Sequence, residues 1–96
     1  MKSTTYEELI DEHYPPGSEA RRQYEEDLIK QRASITIRNA REAAGLSLQA
    51  LGDKLGVTKQ MINKWESGEV SVGVVVLHRI ATALNKKLLI EFKDHV

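Results

Sequence analysis

The stretch SLQALGDKLGVTKQMINKWESG, residues 47–68, decides the fold. Two polar caps, Ser47 and Thr58, each precede a run with apolar residues at helical spacing, and each run closes on a glycine, Gly56 or Gly68. The first run places Leu48, Leu51 and Leu55 on its inner side. The second places Met61, Ile62 and Trp65 mostly inward. Two helices joined by a short glycine-containing turn form a helix-turn-helix. Such helices cross steeply, so the first needs a small residue where the second passes, and Gly52 supplies it. Glycine costs an interior helix position about 1 kcal/mol relative to alanine, which makes Gly52 informative. The turn needs a residue that tolerates positive φ, and Gly56 provides it. Lys59, Gln60, Asn63 and Lys64 are left on the outer side of the second helix. Glutamine and asparagine can pair with adenine, and lysine with guanine or phosphate. Thr58, at a helix N-terminus, suits a phosphate oxygen. Any exposed helix carries such residues, so their meaning comes from the surrounding pattern.

Outward from this unit, residues 5–13 have a short helical pattern with Thr5 as N-cap and Leu9 and Ile10 as apolar contacts. Pro15-Pro16-Gly17 ends it. Ser18 caps a second helix that reads through Tyr24, Leu28 and Ile29. The β-branched residues between Ile35 and Ile37 weaken it, so it either runs on to Ala44 or bends there before Gly45 stops it. On the other side, Ser71 is a candidate start for a helix carrying Val74, Leu77, Ile80, Ala81 and Leu84. Asn85 suits its left-handed end. The period then changes: Leu88, Ile90 and Phe92 alternate with Leu89, Glu91 and Lys93, a strand pattern. The expectation is an all-α bundle of four to five helices. It comprises an N-terminal helical extension (residues 1–34), a helix-turn-helix DNA-binding domain (35–85), and a tail (86–96) holding a short β-strand.

Residues 37–68 resemble the lambda-repressor/Cro-like, XRE-family helix-turn-helix. The residues that carry the resemblance are Arg38, Arg41, Glu42, Gly45-Leu46-Ser47, Leu51, Gly56-Val57-Thr58, Ile62 and Trp65-Glu66 with Gly68. The match extends over roughly residues 36–85 with the following helix. The resemblance implies a helical bundle whose second motif helix lies in the major groove of double-stranded operator DNA. It implies that Arg41 and Glu66 form a buried ion pair tying the first helix to the recognition helix. It also implies that Arg38, Ser47 and Gln49 join the DNA contacts, with Arg38 exposed near phosphate. The sequence departs from the family at one place. A glutamine usually follows the capping serine, whereas here Leu48 stands there and Gln49 comes next.

Charge is distributed unevenly although the net is zero. Residues 1–30 hold four basic and eight acidic residues, and residues 31–96 hold ten and six. Such asymmetry suggests two surfaces or two partners, although a charge run is usually a solvated face. The 96 residues suffice for one domain, and the absence of cysteine removes disulfides and cysteine-based metal sites. No signal-peptide core or bilayer-length apolar run is present, so a soluble cytoplasmic protein without a membrane role is expected. No cofactor, metal or catalytic chemistry is expected. His13, His78 and His95 fit no helical metal spacing, and Glu25-Glu26-Asp27 splay around a helix. No nucleophile elbow surrounds any serine.

The ends point to partners. A lone strand is unstable in water, so Leu88, Ile90 and Phe92 call for pairing, either across a homodimer or with another protein's sheet edge. A dimer would also present two recognition helices to half-sites about 34 Å apart. A small domain of this type with an N-terminal extension and C-terminal strand looks like a HigA-type antitoxin. That family neutralises a RelE/HigB-like ribonuclease toxin and represses its own operon. Tyr6, Tyr14, Tyr24 and Leu28 of the acidic extension are then candidates for covering the toxin. Ordinary packing explains the tyrosines equally well. The alternatives are a stand-alone phage- or plasmid-type repressor and a protein-interaction module that binds no DNA.

Overall fold

The computed structural model describes residues 5–95 and folds them into five helices: α1 (Tyr6–His13), α2 (Glu19–Ala43), α3 (Leu48–Leu55), α4 (Lys59–Ser67) and α5 (Val74–Ala83). Each start but one has a side-chain cap. At α1, Thr5 and Glu8 exchange hydrogen bonds with each other's backbone N–H at 3.1 and 3.3 Å, a capping box. Ser18, Ser47 and Thr58 accept from Arg21, Ala50 and Met61 N–H groups. The exception is α5, which begins at Val74 behind Gly73, not at Ser71, and has no side-chain cap. Two ends share one geometry. Gly45 (φ +71°) lets Leu46 N–H reach the Arg41 carbonyl, and Asn85 (φ +57°) lets Lys86 N–H reach that of Ala81. Both turns satisfy carbonyls that a helix terminus leaves open.

The second helix runs unbroken through Ser34-Ile35-Thr36-Ile37. Its 25 residues span about 37 Å. The β-branched residues cost only tenths of a kcal/mol each, and tertiary contacts outweigh that. Ile37 is buried in the core, and Ser34 is buried where a Cβ on Gly68 would stand 3.4 Å from its hydroxyl. That hydroxyl donates back to the Lys30 carbonyl at 2.9 Å, so it is satisfied inside the protein.

The core is Ile37, Leu51, Leu55, Ile62, Ile80 and Leu84, flanked by half-buried Leu46, Val57, Trp65, Val76 and Leu77. It sits among α3, α4, α5 and the second half of α2. Helix α1 buries no residue, and with the first half of α2 it forms an arm that stretches the molecule to 53 × 27 × 26 Å. No helix among the described residues is long and apolar enough to cross a membrane.

The expected C-terminal strand is absent. Residues 86–95 have no regular secondary structure. A strand exists by its ladder, and no second extended segment lies among the described residues to supply one. Leu88 is half-buried beside Ala40, Leu77 and Ala81, in a groove between α2 and α5. Ile90 and Phe92 project into solvent, as does Leu89.

Candidate nucleic-acid interface

The turn between α3 and α4 is built on backbone contact. A Cβ placed on Gly52 would lie 2.7 Å from the Val57 carbonyl oxygen and 3.4 Å from the Lys59 nitrogen. The tight approach is therefore to the turn itself, where Val57 N–H also bonds the Gly52 carbonyl at 2.9 Å. Gly56 takes the left-handed conformation at φ +73°. Arg79 of α5 donates to the carbonyl of Leu55 at 2.8 Å and closes the end of α3 from outside the motif. No local sequence pattern announced that tie.

Helix α4 is held from behind by one buried carboxylate. Arg41 Nε and Nη2 donate to Glu66 Oε2 and Oε1 at 2.6 and 3.0 Å, and Arg41 Nη1 donates to the Leu46 carbonyl at 2.7 Å. The Glu66 side chain is 2% exposed and that of Arg41 13%. Hydrogen bonding to Glu66 pushes the Arg41 guanidinium above its already high ordinary value, against the opposing effect of burial. Both members therefore have their bonds satisfied inside the fold, and Arg41 joins α2 to α4 and to the loop before α3. Arg38 adds to the same cluster: its Nε lies 3.6 Å from Glu66 Oε1, and its Nη2 donates to the Glu66 carbonyl at 3.3 Å. Half of Arg38 remains exposed, so the residue expected near phosphate is also a strut on the end of α4.

With Ile62 fully buried and Glu66 locked, the opposite face of α4 is fixed toward solvent. Lys59, Gln60, Asn63 and Lys64 are all exposed there and line one groove with Leu48 and Glu69. Met61 sits at the border of that face and is 38% exposed, less inward than its apolar character suggested. Glu69, just past the helix, is a groove residue that sequence reasoning missed, since nothing in its spacing marks it. Ser47 and Thr58 are exposed, and no hydrogen bond among the described residues uses either hydroxyl proton. Gln49 is exposed on α3 and donates to Asp53 Oδ1 at 2.8 Å, one turn along its own helix.

The candidate partner residues gather at the arm. Tyr14 and Tyr24 stack with ring centroids 4.6 Å apart, and the Tyr6 and Tyr24 hydroxyls are 2.9 Å apart. Arg21 Nη1 reaches Asp11 Oδ1 and the Tyr14 carbonyl at 2.6 and 3.1 Å, and its Nε reaches Glu25 Oε1 at 2.8 Å. The hydrogen bonds to Asp11 and then Glu25 hold the Arg21 guanidinium firmly protonated. These contacts fold α1 back on α2: Tyr24 stacks on Tyr14, while exposed Tyr6 meets it only through the hydroxyl. Leu28 is half-buried farther along α2. Leu88 lies in the groove between α2 and α5, and Ile90 and Phe92 are exposed on the tail, whose His95 lines a cavity with Asp11, Arg21 and Glu25 of the arm.

Comparison with known proteins agrees with this geometry. A family model described as helix-turn-helix matches residues 37–90. A protein of Methanothermobacter thermautotrophicus, described as an uncharacterized HTH-type transcriptional regulator, is 39% identical over 51 residues, which cover 53% of this chain and 74% of that protein. Two similarly described regulators, from Sinorhizobium medicae and Rhizobium meliloti, are 40% identical over 58 residues, covering 60% of this chain and 42% of theirs. The match thus spans less than half of these two longer relatives. No solved structure matches the chain. The matched segment runs from the last turns of α2 through both motif helices to the tail, and the chain belongs to the helix-turn-helix family, of the XRE type.

Proposed function

We propose that this chain is a sequence-specific DNA-binding regulator that seats α4 in the major groove of double-stranded operator DNA. The observation that carries the reading is the division of α4. Ile62 and Glu66 fix its back, while Lys59, Gln60, Asn63 and Lys64 stand together in solvent on its front. Gln60 and Asn63 offer amide pairs for adenine, and the lysines serve guanine or phosphate. The hydroxyls of Ser47 and Thr58 and the exposed half of Arg38 are phosphate donors at the margin. The reading gives the chain no catalytic step and no cofactor. Fluorescence anisotropy with a duplex selected from a random pool tests it. Gln60→Ala and Lys64→Ala should each weaken binding by about 1–3 kcal/mol with unchanged thermal melting. Affinity should also fall steeply with salt, because lysine contacts displace condensed counterions. Binding that is flat in salt and indifferent to both substitutions would leave a protein-only interaction module in its place.

The finer reading is a homodimeric antitoxin that represses its own operon and neutralises a RelE/HigB-like ribonuclease. The charge division supports it. The arm carries Glu7, Glu8 and Glu12, which make no ion pair among the described residues, alongside the paired Asp11, Glu19, Glu25, Glu26 and Asp27. An acidic arm held apart from a reading helix suits one basic protein partner and one DNA partner. Co-expression with a small basic protein encoded in the adjacent reading frame tests it. A stable complex that loses ribonuclease activity supports the antitoxin. No complex with such a neighbour leaves the stand-alone repressor.

A further inference from the structure

We infer that Leu48 is a specificity-determining residue whose side chain reads a thymine C5-methyl group at the edge of the bound site, an inference that rests on the DNA-binding reading above. Leu48 is the first residue of α3. It is half-buried: part of it packs on the core, and the rest lines the groove it shares with Lys59, Gln60, Asn63 and Lys64. Five polar side chains, Glu69 among them, thus surround one apolar surface on the face that this reading turns to the duplex.

The chemistry of that spot narrows what it can touch. The leucine side chain offers neither donor nor acceptor, so it holds no phosphate oxygen and pairs with no base edge. The next side chain, Gln49, donates one amide N–H to Asp53 Oδ1 at 2.8 Å along its own helix. The major groove presents one apolar group among the bases, the C5-methyl of thymine. An apolar surface flanked by adenine-competent Gln60 and Asn63 therefore favours an A·T pair oriented with its methyl toward α3. Adenine there would meet Leu48 with its N6 amino group and lose a hydrogen bond to water without replacement.

The test uses the full chain and a duplex obtained by selection from a random pool. Each thymine of the selected site is replaced by uracil, which removes the methyl and keeps the pairing edge. At one thymine per bound chain the native protein should lose affinity about fourfold, the value of one buried methyl-sized group. Leu48→Ala should be indifferent to that same replacement, and Leu48→Met, which keeps an apolar side chain of similar volume, should retain the loss. The uracil series on native protein needs no altered fold, and thermal melts report whether Leu48→Ala is folded. A selected site that binds tightly yet tolerates uracil at every thymine overturns the inference. So does a Leu48→Ala chain that keeps the fourfold loss at that position. Failure to select any duplex overturns the DNA reading itself, a result distinct from either.

Discussion

Breaking the Arg41–Glu66 pair offers the sharpest quantitative test of how α4 is held. A chain of 96 residues, at about 0.05–0.15 kcal/mol per residue, is stable by roughly 5–14 kcal/mol. Removing one partner of a buried pair costs about 3–5 kcal/mol, because the other is left charged and poorly solvated. Arg41→Ala belongs at the lower end of that range. The Glu66 carboxylate then still has Arg38 Nε at 3.6 Å. Glu66→Ala strands Arg41, which keeps only its Leu46 carbonyl at 2.7 Å and the exposed Glu42 at 3.9 Å. The double substitution removes both charges, so its cost should fall short of the summed singles by about 2 kcal/mol, within the range seen for contacting residues. Arg38→Ala, removing a half-exposed and water-screened group, should cost no more than about 1 kcal/mol. Urea titrations of all four variants with linear extrapolation measure these differences. Single costs below about 1 kcal/mol, or singles that add within about 0.5 kcal/mol, would refute the assignment of this pair as the tie between α2 and α4.

Three further outcomes are expected. Gly52→Ala should destabilise the chain by up to about 2 kcal/mol, since overpacking against the Val57 carbonyl outweighs the roughly 1 kcal/mol gained in helix propensity; a melt that rises with alanine would contradict the close approach. The hydrogen bond with Tyr6 holds the Tyr24 phenol above its ordinary value. The folded arm thus favours the protonated form, and its stabilisation is complete below pH of about 10 and lost as pH climbs through the raised value. A tyrosinate absorbance titration in which Tyr24→Phe leaves the late-titrating component unchanged would count against that pairing. Deleting residues 87–96 should lower the self-association proposed above while leaving helix content intact, because Leu89, Ile90 and Phe92 are exposed; sedimentation showing the same mass state with and without the tail would exclude it as a contact.

The motif was legible because its determinants are local. Caps at Ser47 and Thr58, a left-handed Gly56 and the apolar spacing of Leu51, Leu55 and Ile62 each act within a turn or two of chain. The outward face of α4 followed from that spacing. What escaped was tertiary. The continuity of α2 past Ile35 depends on Ile37 reaching a core assembled from other helices. The alternation of Leu88, Ile90 and Phe92 fits a strand, but a ladder needs a neighbour that these residues do not provide. Arg38 turned toward Glu66 because the end of α4 happens to lie beside α2, and Met61 stayed partly wet because it borders the buried line through Ile62 and Glu66. Arg79 over Leu55 had no sequence signal at all.

Since α2 carries the tyrosine-clamped α1 near one end and the Arg38 and Arg41 grips on α4 near the other, with no hinge between, it behaves as a lever of fixed length. On the function proposed above, a protein held at the acidic end would stay at a fixed distance from α4. Room for that protein and a duplex together would then be a matter of clearance, set by the angle of this rod.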